Sequence, residues 1–125
     1  HLGRNLLSLA LCGLGAYEEA RREICKPLRL TRLQTPESML LSHLAGMALI
    51  LSQKGDHERA IELYALALSY HAHSPAWQKE LPIHVNARHE LQEMVPPEIF
   101  DRAWKRGKDR DLNEVVTLIL SEYCP

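Results

Sequence analysis

A six-residue pattern occurs twice in this chain, forty residues apart, and it limits what the chain can fold into more than any other feature. Gly15-Ala16-Tyr17-Glu18-Glu19-Ala20 and Gly55-Asp56-His57-Glu58-Arg59-Ala60 share the order Gly, any residue, aromatic, Glu, any residue, Ala. Such a glycine ends a helix by taking the left-handed backbone conformation, which costs other residues about 1–2 kcal/mol. The aromatic residue starts a return helix and packs into the angle between the two, and the small Ala lets the backbones approach. Leu7, Leu11 and Leu14 precede the first corner at helical spacing. Leu44, Met47, Ala48 and Leu51 precede the second, and Ile61, Tyr64, Ala67 and Leu68 follow it. Each set lays one apolar stripe along its helix. Antiparallel helical hairpins are the expected result.

Capping residues extend the reading. Thr35-Pro36-Glu37 combines an N-cap, a proline at the first helical position and an acid near the positive end of the helix dipole. Ser74-Pro75 repeats the device, and Pro82, falling inside the next helical pattern, predicts a kink or break. Beyond it Ile83, Ala87, Leu91, Met94 and Val95 keep a helical stripe. Pro96-Pro97-Glu98 opens a helix carrying Ile99, Phe100, Ala103 and Trp104, with Gly107 as its stop. Asp111 caps a last helix, with Glu114 as its capping-box partner and Leu112, Val115, Val116, Ile119, Leu120 and Tyr123 on its buried side. The predicted helices are 2–13, 17–31, 36–54, 57–71, 75–94, 97–106 and 111–123. No segment alternates with a period of two, so no sheet is expected.

Composition excludes several function classes. The formal net charge is −1, so no basic excess marks a nucleic-acid binder. No apolar run approaches the roughly eighteen residues of a membrane span. The three cysteines, Cys12, Cys25 and Cys124, are odd in number and form no CxxC pair; they are read as unpaired thiols in a reducing, cytoplasmic setting. The opening His1-Leu2-Gly3, without an initiator Met or a signal-peptide pattern, suggests a fragment of a longer chain.

The Gly-x-Tyr-Glu-x-Ala corner followed by Ile61, Tyr64, Ala67 and Leu68 resembles the tetratricopeptide repeat. The copy from Leu44 to Leu68 carries Gly55, Ala60, Tyr64 and Ala67 at family spacing. The first copy keeps Gly15, Tyr17 and Ala20, but has Ile24 where an aromatic is usual and Arg4 where a Trp is usual. The forty-residue spacing exceeds the about thirty-four of the standard repeat, so longer helices are expected. The stretch from Met94 to Glu122, with Pro97-Glu98-Ile99-Phe100, Ala103-Trp104, Gly107 and Asp111-Leu112-Asn113-Glu114-Val115-Val116, looks like the tail that ends helical-repeat regions of large bacterial signalling ATPases and of LuxR-type and antibiotic-regulatory transcription factors. The resemblance implies an all-α fold of antiparallel hairpins stacked as a right-handed, tetratricopeptide-like α-solenoid. Repeat 1 would span about 2–31, repeat 2 about 36–71, and a degenerate third repeat with a C-terminal capping helix pair about 75–123. It also implies a non-catalytic interaction scaffold or sensor arm, whose partner is a protein or peptide, another copy of the chain, or other domains of the same chain, with no nucleic-acid or membrane contact.

Residues that could carry other chemistry read more simply as structure. His84 and His89 are five apart and miss a common helix face, and no cysteine lies near His71 or His73, so no metal is expected. Cys12 and Cys25 sit in apolar helical patterns, where thiols behave as small inert hydrophobes, and no catalytic or cofactor-binding set is assigned. Arg102, Lys105, Arg106, Lys108 and Arg110 are interleaved with Asp101, Asp109 and Asp111, a mixed solvated face. Trp77 and Trp104 are expected as packing wedges. The resemblance places a concave partner-binding face on Leu2, Asn5, Leu9, Cys12, Ser42, Ala45, Leu49 and Ser52. That set lacks the Lys/Arg/Asn carboxylate clamp of chaperone-binding relatives, so capture of an acidic C-terminal peptide is not expected. The alternatives are a structural or oligomerisation spacer and a small helical enzyme or ligand-binding bundle. An enclosed cavity lined by His84, His89 and a cysteine would favour the last.

Overall fold

Both glycine corners form. In a computed structural model that describes residues 10–30, 37–69 and 82–124, Gly15 has φ +80° and Gly55 φ +90°. At the first, the Gly15 and Ala16 amides donate to the Cys12 and Leu11 carbonyls at 3.0 and 2.8 Å. At the second, the Gly55 and Asp56 amides donate to the Ser52 and Leu51 carbonyls at 3.2 and 3.0 Å. This paired bonding satisfies the carbonyls that a helix end leaves without partners, and only a residue tolerant of positive φ can sit at its hinge. Each corner then hands the chain to a new helix, with Ala20 bonding back to Ala16 and Ala60 to Asp56 at 3.0 and 3.1 Å.

All regular structure among the described residues is helical. Residues 10–13 are helical and lead through the first corner into α1 (Tyr17–Leu28). Then follow α2 (Glu37–Lys54), α3 (His57–Ser69), α4 (Pro82–Met94), α5 (Pro97–Lys108) and α6 (Leu112–Tyr123). No described helix is long and apolar enough to cross a membrane. The predicted segment 2–9 and the caps at Thr35-Pro36 and Ser74-Pro75 lie outside the described residues.

The core is centred on α2 and α3. The sequence suggested one apolar stripe on α2, but Leu40 to Leu51 is buried on every side, Ser42 and His43 included. In α3, Ala60, Ile61 and Leu63 to Leu68 are buried. Helix α2 packs on α1, α3 and α4, and α3 packs on α2, α4 and α5. Gly46 of α2 lies against Ile24 of α1, whose Cδ1 would be 3.0 Å from an added Cβ.

Three details depart from the sequence reading. Helix α1 ends at Leu28, not 31, with Pro27 in its last turn. Gly107 is not a helix stop. It lies inside α5 and is buried, and a Cβ there would sit 2.2 Å from the Glu62 carbonyl oxygen. Its lack of a side chain lets the α5 backbone touch the α3 backbone. Pro82 stands at the start of α4, where its fixed φ and missing N–H are tolerated, and the predicted stretch before it, 75–81, lies outside the described residues. The third departure concerns the C-terminal pair. Asp111 caps α6 as expected, accepting the Glu114 amide at 3.0 Å. The main contacts of the two helices lie apart, however: α5 docks on α3, and α6 returns across α1.

That return explains a further correction. Cys25 and Cys124, read from sequence as unpaired thiols, form a disulfide with a Cα–Cα distance of 5.6 Å, leaving Cys12 free. The two positions are 99 residues apart, and only the return of α6 brings them together. Around the bridge the carbonyls at the end of α6 accept from Arg21 of α1 and from Arg29 just beyond it. Arg21 donates to Tyr123, and Arg29 to Cys124 at 3.2 Å. Arg59 of α3 pairs with Glu122 and donates to the Tyr123 hydroxyl at 3.2 Å. Cations at a helix C-terminus complement both its dipole and its unpaired carbonyls.

The Gly107 contact sets two effects in opposition. Helix propensity alone would make Gly107→Ala stabilising by about 1 kcal/mol. An added methyl against a main-chain carbonyl forces α3 and α5 apart, and overpacking of this kind costs about 1–3 kcal/mol. We expect the variant to be less stable than the parent, read as a lowered urea midpoint. A raised midpoint would mean that the two backbones do not meet.

Candidate functional site

The helices leave a groove beside the first corner. Its floor comes from the last turns of α2 (Leu49, Ser52, Gln53) and from Cys12 and Gly13 before the corner. One wall is α4, whose Ile83, Asn86, Ala87, Glu90, Glu93 and Met94 recur at helical spacing, and Tyr17 and His57 close the ends. Two neighbouring clefts of about 220 and 240 Å³ share Gln53 and Glu90. It forms here because α2 and α4 pack through Ala87 and Leu91, leaving the neighbouring face of α4 to the solvent side.

Charge in the groove is one-sided. Glu90 and Glu93 are its only fully charged side chains among the described lining residues, beside the amides of Gln53 and Asn86. Lys54, next in sequence to Gln53, turns instead to Glu18 at 3.5 Å. Glu18 also holds Arg21 at 2.8 Å, and the Arg21 and Lys54 contacts keep its carboxyl below the usual range.

The sequence-derived face is only partly realised. Cys12 and Leu49 share the first cleft, and Ser52 lines the second. Ser42 and Ala45 are buried inside the chain and present no open surface. Leu2, Asn5 and Leu9 lie outside the described residues, as do His71, His73 and Trp77. Gln53, Asn86, Glu90 and Glu93 were not anticipated. The stripe of Ile83, Ala87, Leu91 and Met94 was readable from its spacing, but which polar neighbours line a cleft depends on how α4 packs on α2.

No family model, curated protein or solved structure matches this chain.

Beneath the groove lies a buried polar pair. The Tyr64 hydroxyl meets His84 Nδ1 at 2.9 Å, and the rings stand edge-on with centroids 5.4 Å apart. Burial, with a smaller contribution from the Arg88 cation, pushes the His84 imidazole down to about 4. Burial pushes the Tyr64 phenol up, and burial pushes the Cys12 thiol up to about 11. At neutral pH all three are uncharged, and the Tyr64–His84 hydrogen bond joins two neutral groups, the phenol donating to Nδ1 in one imidazole tautomer and accepting from it in the other. A thiol held protonated is a poor nucleophile, and the pair acts as a satisfied strut between α3 and α4. His84 is thus buried, while His89 is exposed on the other side of α4, so the two line no common cavity with Cys12. Among the described residues no cluster of three His, Cys, Asp or Glu could hold a metal ion.

Two of the basic residues near the C-terminus, Arg106 and Arg110, reach α3. Arg106 pairs with Glu58 and Glu62 at 3.2 and 3.3 Å, and Arg110 with Glu62 at 3.3 Å. Ion pairs this exposed contribute little each, but they orient α5 on α3 beside Gly107.

His84 sets a pH dependence with a defined sign. A histidine depressed from 6.5 to about 4 favours the folded state fully above pH 6.5, and that contribution is lost as pH falls toward 4. The shift corresponds to about 3 kcal/mol. In urea titrations from pH 7 to 4, His84→Gln should flatten the fall in stability relative to the parent. Parallel pH profiles for the two proteins would contradict the buried neutral imidazole.

Proposed function

We propose that this chain is a non-catalytic helical module that binds a protein or peptide segment. In this reading the helix before Gly15 with α1, and α2 with α3, are successive hairpins of a right-handed, tetratricopeptide-like solenoid, α4 belongs to a degenerate third repeat and α5 and α6 cap it, forming the scaffold or sensor arm of a bacterial signalling or transcription-regulatory protein. The observation that carries the proposal is the groove between α2 and α4. It is open, with the half-buried Tyr17 and Ile83 as its apolar surface over the buried Leu49 and Ala87, and edged by carboxylates and amides. An extended or helical segment gains affinity from such a surface and register from such an edge. The two corners of identical bonding support the hairpin arrangement. The Cys25–Cys124 pairing removes the premise for a cytoplasmic setting, which is not carried forward.

A second reading, self-association or a spacer role, is favoured by one observation. Leu14 at the first corner is 83% exposed and Met94 at the end of α4 is 62% exposed, apolar surface that a second copy could cover.

The groove reading has a direct test. Panning the chain against a displayed random peptide library should enrich sequences that combine an apolar residue with Lys or Arg. Glu90→Lys with Glu93→Lys should then weaken the enriched peptides by about tenfold or more, because like charges facing each other across an interface are strongly unfavourable. Failure to enrich, or unchanged binding by the double variant, would contradict it. Concentration-dependent sedimentation abolished by Leu14→Glu would favour self-association instead.

A further inference from the structure

Helix α4 sorts its polar side chains by charge. Glu90 and Glu93 face the groove described above, whereas Arg88, His89 and Gln92 face a separate cleft on the α5 side, opposite the stacked rings of Phe100 and Trp104. Glu93 stands in the last turn of α4, with Glu90 just before it, and that turn carries no basic residue. The carbonyls ending a helix give it about half a negative charge, so an acid there opposes a dipole that a cation would complement. Choices that work against their own helix are expected where a surface serves something outside the chain.

The end of α4 also lacks the bonds that close its neighbours. After α1 the Arg29 and Leu30 amides donate back to Cys25, Lys26 and Pro27, and after α5 the Asp109 and Arg110 amides donate back to Lys105, Arg106 and Gly107. Helix α2 is closed by the Gly55 and Asp56 amides, and the end of α6 by the side chains of Arg21 and Arg29. After α4 come Val95, Pro96 and Pro97, and the two prolines have no N–H to give. They occupy the two positions from which a chain ordinarily bonds back to a helix end. The Ile99 and Phe100 amides donate instead to the Pro96 carbonyl, both at 3.0 Å. Lys54, which precedes the second corner beside this cleft, is held by Glu18.

Given the groove of the proposed function, on which this inference rests, we propose that the bound segment carries an arginine whose guanidinium closes the end of α4. It pairs with Glu90 and Glu93 and lays its aliphatic stem on Met94, which is 62% exposed and lines the same cleft. A guanidinium has five N–H donors in a planar fork, enough to pair a carboxylate through two bonds and still reach a main-chain carbonyl. A lysine ammonium brings the charge without the fork.

Three synthetic libraries of random nonapeptides, identical except for a central arginine, lysine or citrulline, serve as probes of the immobilised full chain. Citrulline keeps the length and planarity of arginine without its charge. The arginine library should be retained about tenfold more than the citrulline library, as hydrogen bonds to charged groups require, with the lysine library between them. Glu93→Gln should remove that preference, whereas Glu114→Gln, at an exposed acid of α6, should leave it. In the free chain Glu93→Lys should raise the urea midpoint by about 0.2–0.5 M, because a cation then meets the negative end of α4. Equal retention of the three libraries would overturn the arginine contact and leave the groove standing, whereas retention of none would overturn both. A preference that Glu114→Gln removes as readily as Glu93→Gln, or a midpoint lowered by Glu93→Lys, would also overturn the contact.

Discussion

Helix α3 is packed from three directions, and the closest of those contacts is the meeting of its main chain at Glu62 with the main chain of α5 at Gly107. Two helices approach this closely only where one of them lacks a side chain. Several features depend on it. The buried face of α5 reaches α3 through Ala103 and Gly107. Arg106 and Arg110 come within reach of Glu58 and Glu62. The turn after α5 is then placed so that α6 can run back toward α1, where the Cys25–Cys124 bridge joins positions 99 residues apart. Closing a loop of that size stabilises a fold by about 4–5 kcal/mol in the chain-entropy account.

The hairpin corners were legible because their physics is local. A left-handed glycine, the two amides bonding back across it and the alanine four residues into the next helix all lie within one short stretch of sequence. The Asp111 cap was readable for the same reason. What sequence could not show is non-local. Gly107 looks like a stop from its neighbours alone, and only the position of Glu62 reveals it as a contact. Cys25 and Cys124 look unpaired until α6 folds back. The burial of α2 on all sides likewise depends on helices that come before and after it.

The candidate groove was half legible. Cys12, Leu49 and Ser52, which the tetratricopeptide resemblance placed on a concave face, lie along one side of it. Its opposite wall, and with it the acidic character, comes from α4, whose orientation is fixed by burial of Ala87 and Leu91 and by the Tyr64–His84 hydrogen bond. The same orientation turns Arg88, His89 and Gln92 toward the aromatic pair of α5. One buried polar contact thus sets the chemistry of two surfaces.

Helices α2 and α3, which hold most of the buried core, should be the least separable part of the molecule. Native-state hydrogen exchange measures this directly, since each amide reports the smallest opening that exposes it. Amides of buried residues such as Leu44, Ile50, Ile61 and Leu66 should exchange only through global unfolding, with one common free energy. The ends of α4 and α6 should open at lower free energies. If α3 amides exchanged through a partial opening that left α6 protected, α3 would not be the strut on which the other helices rest.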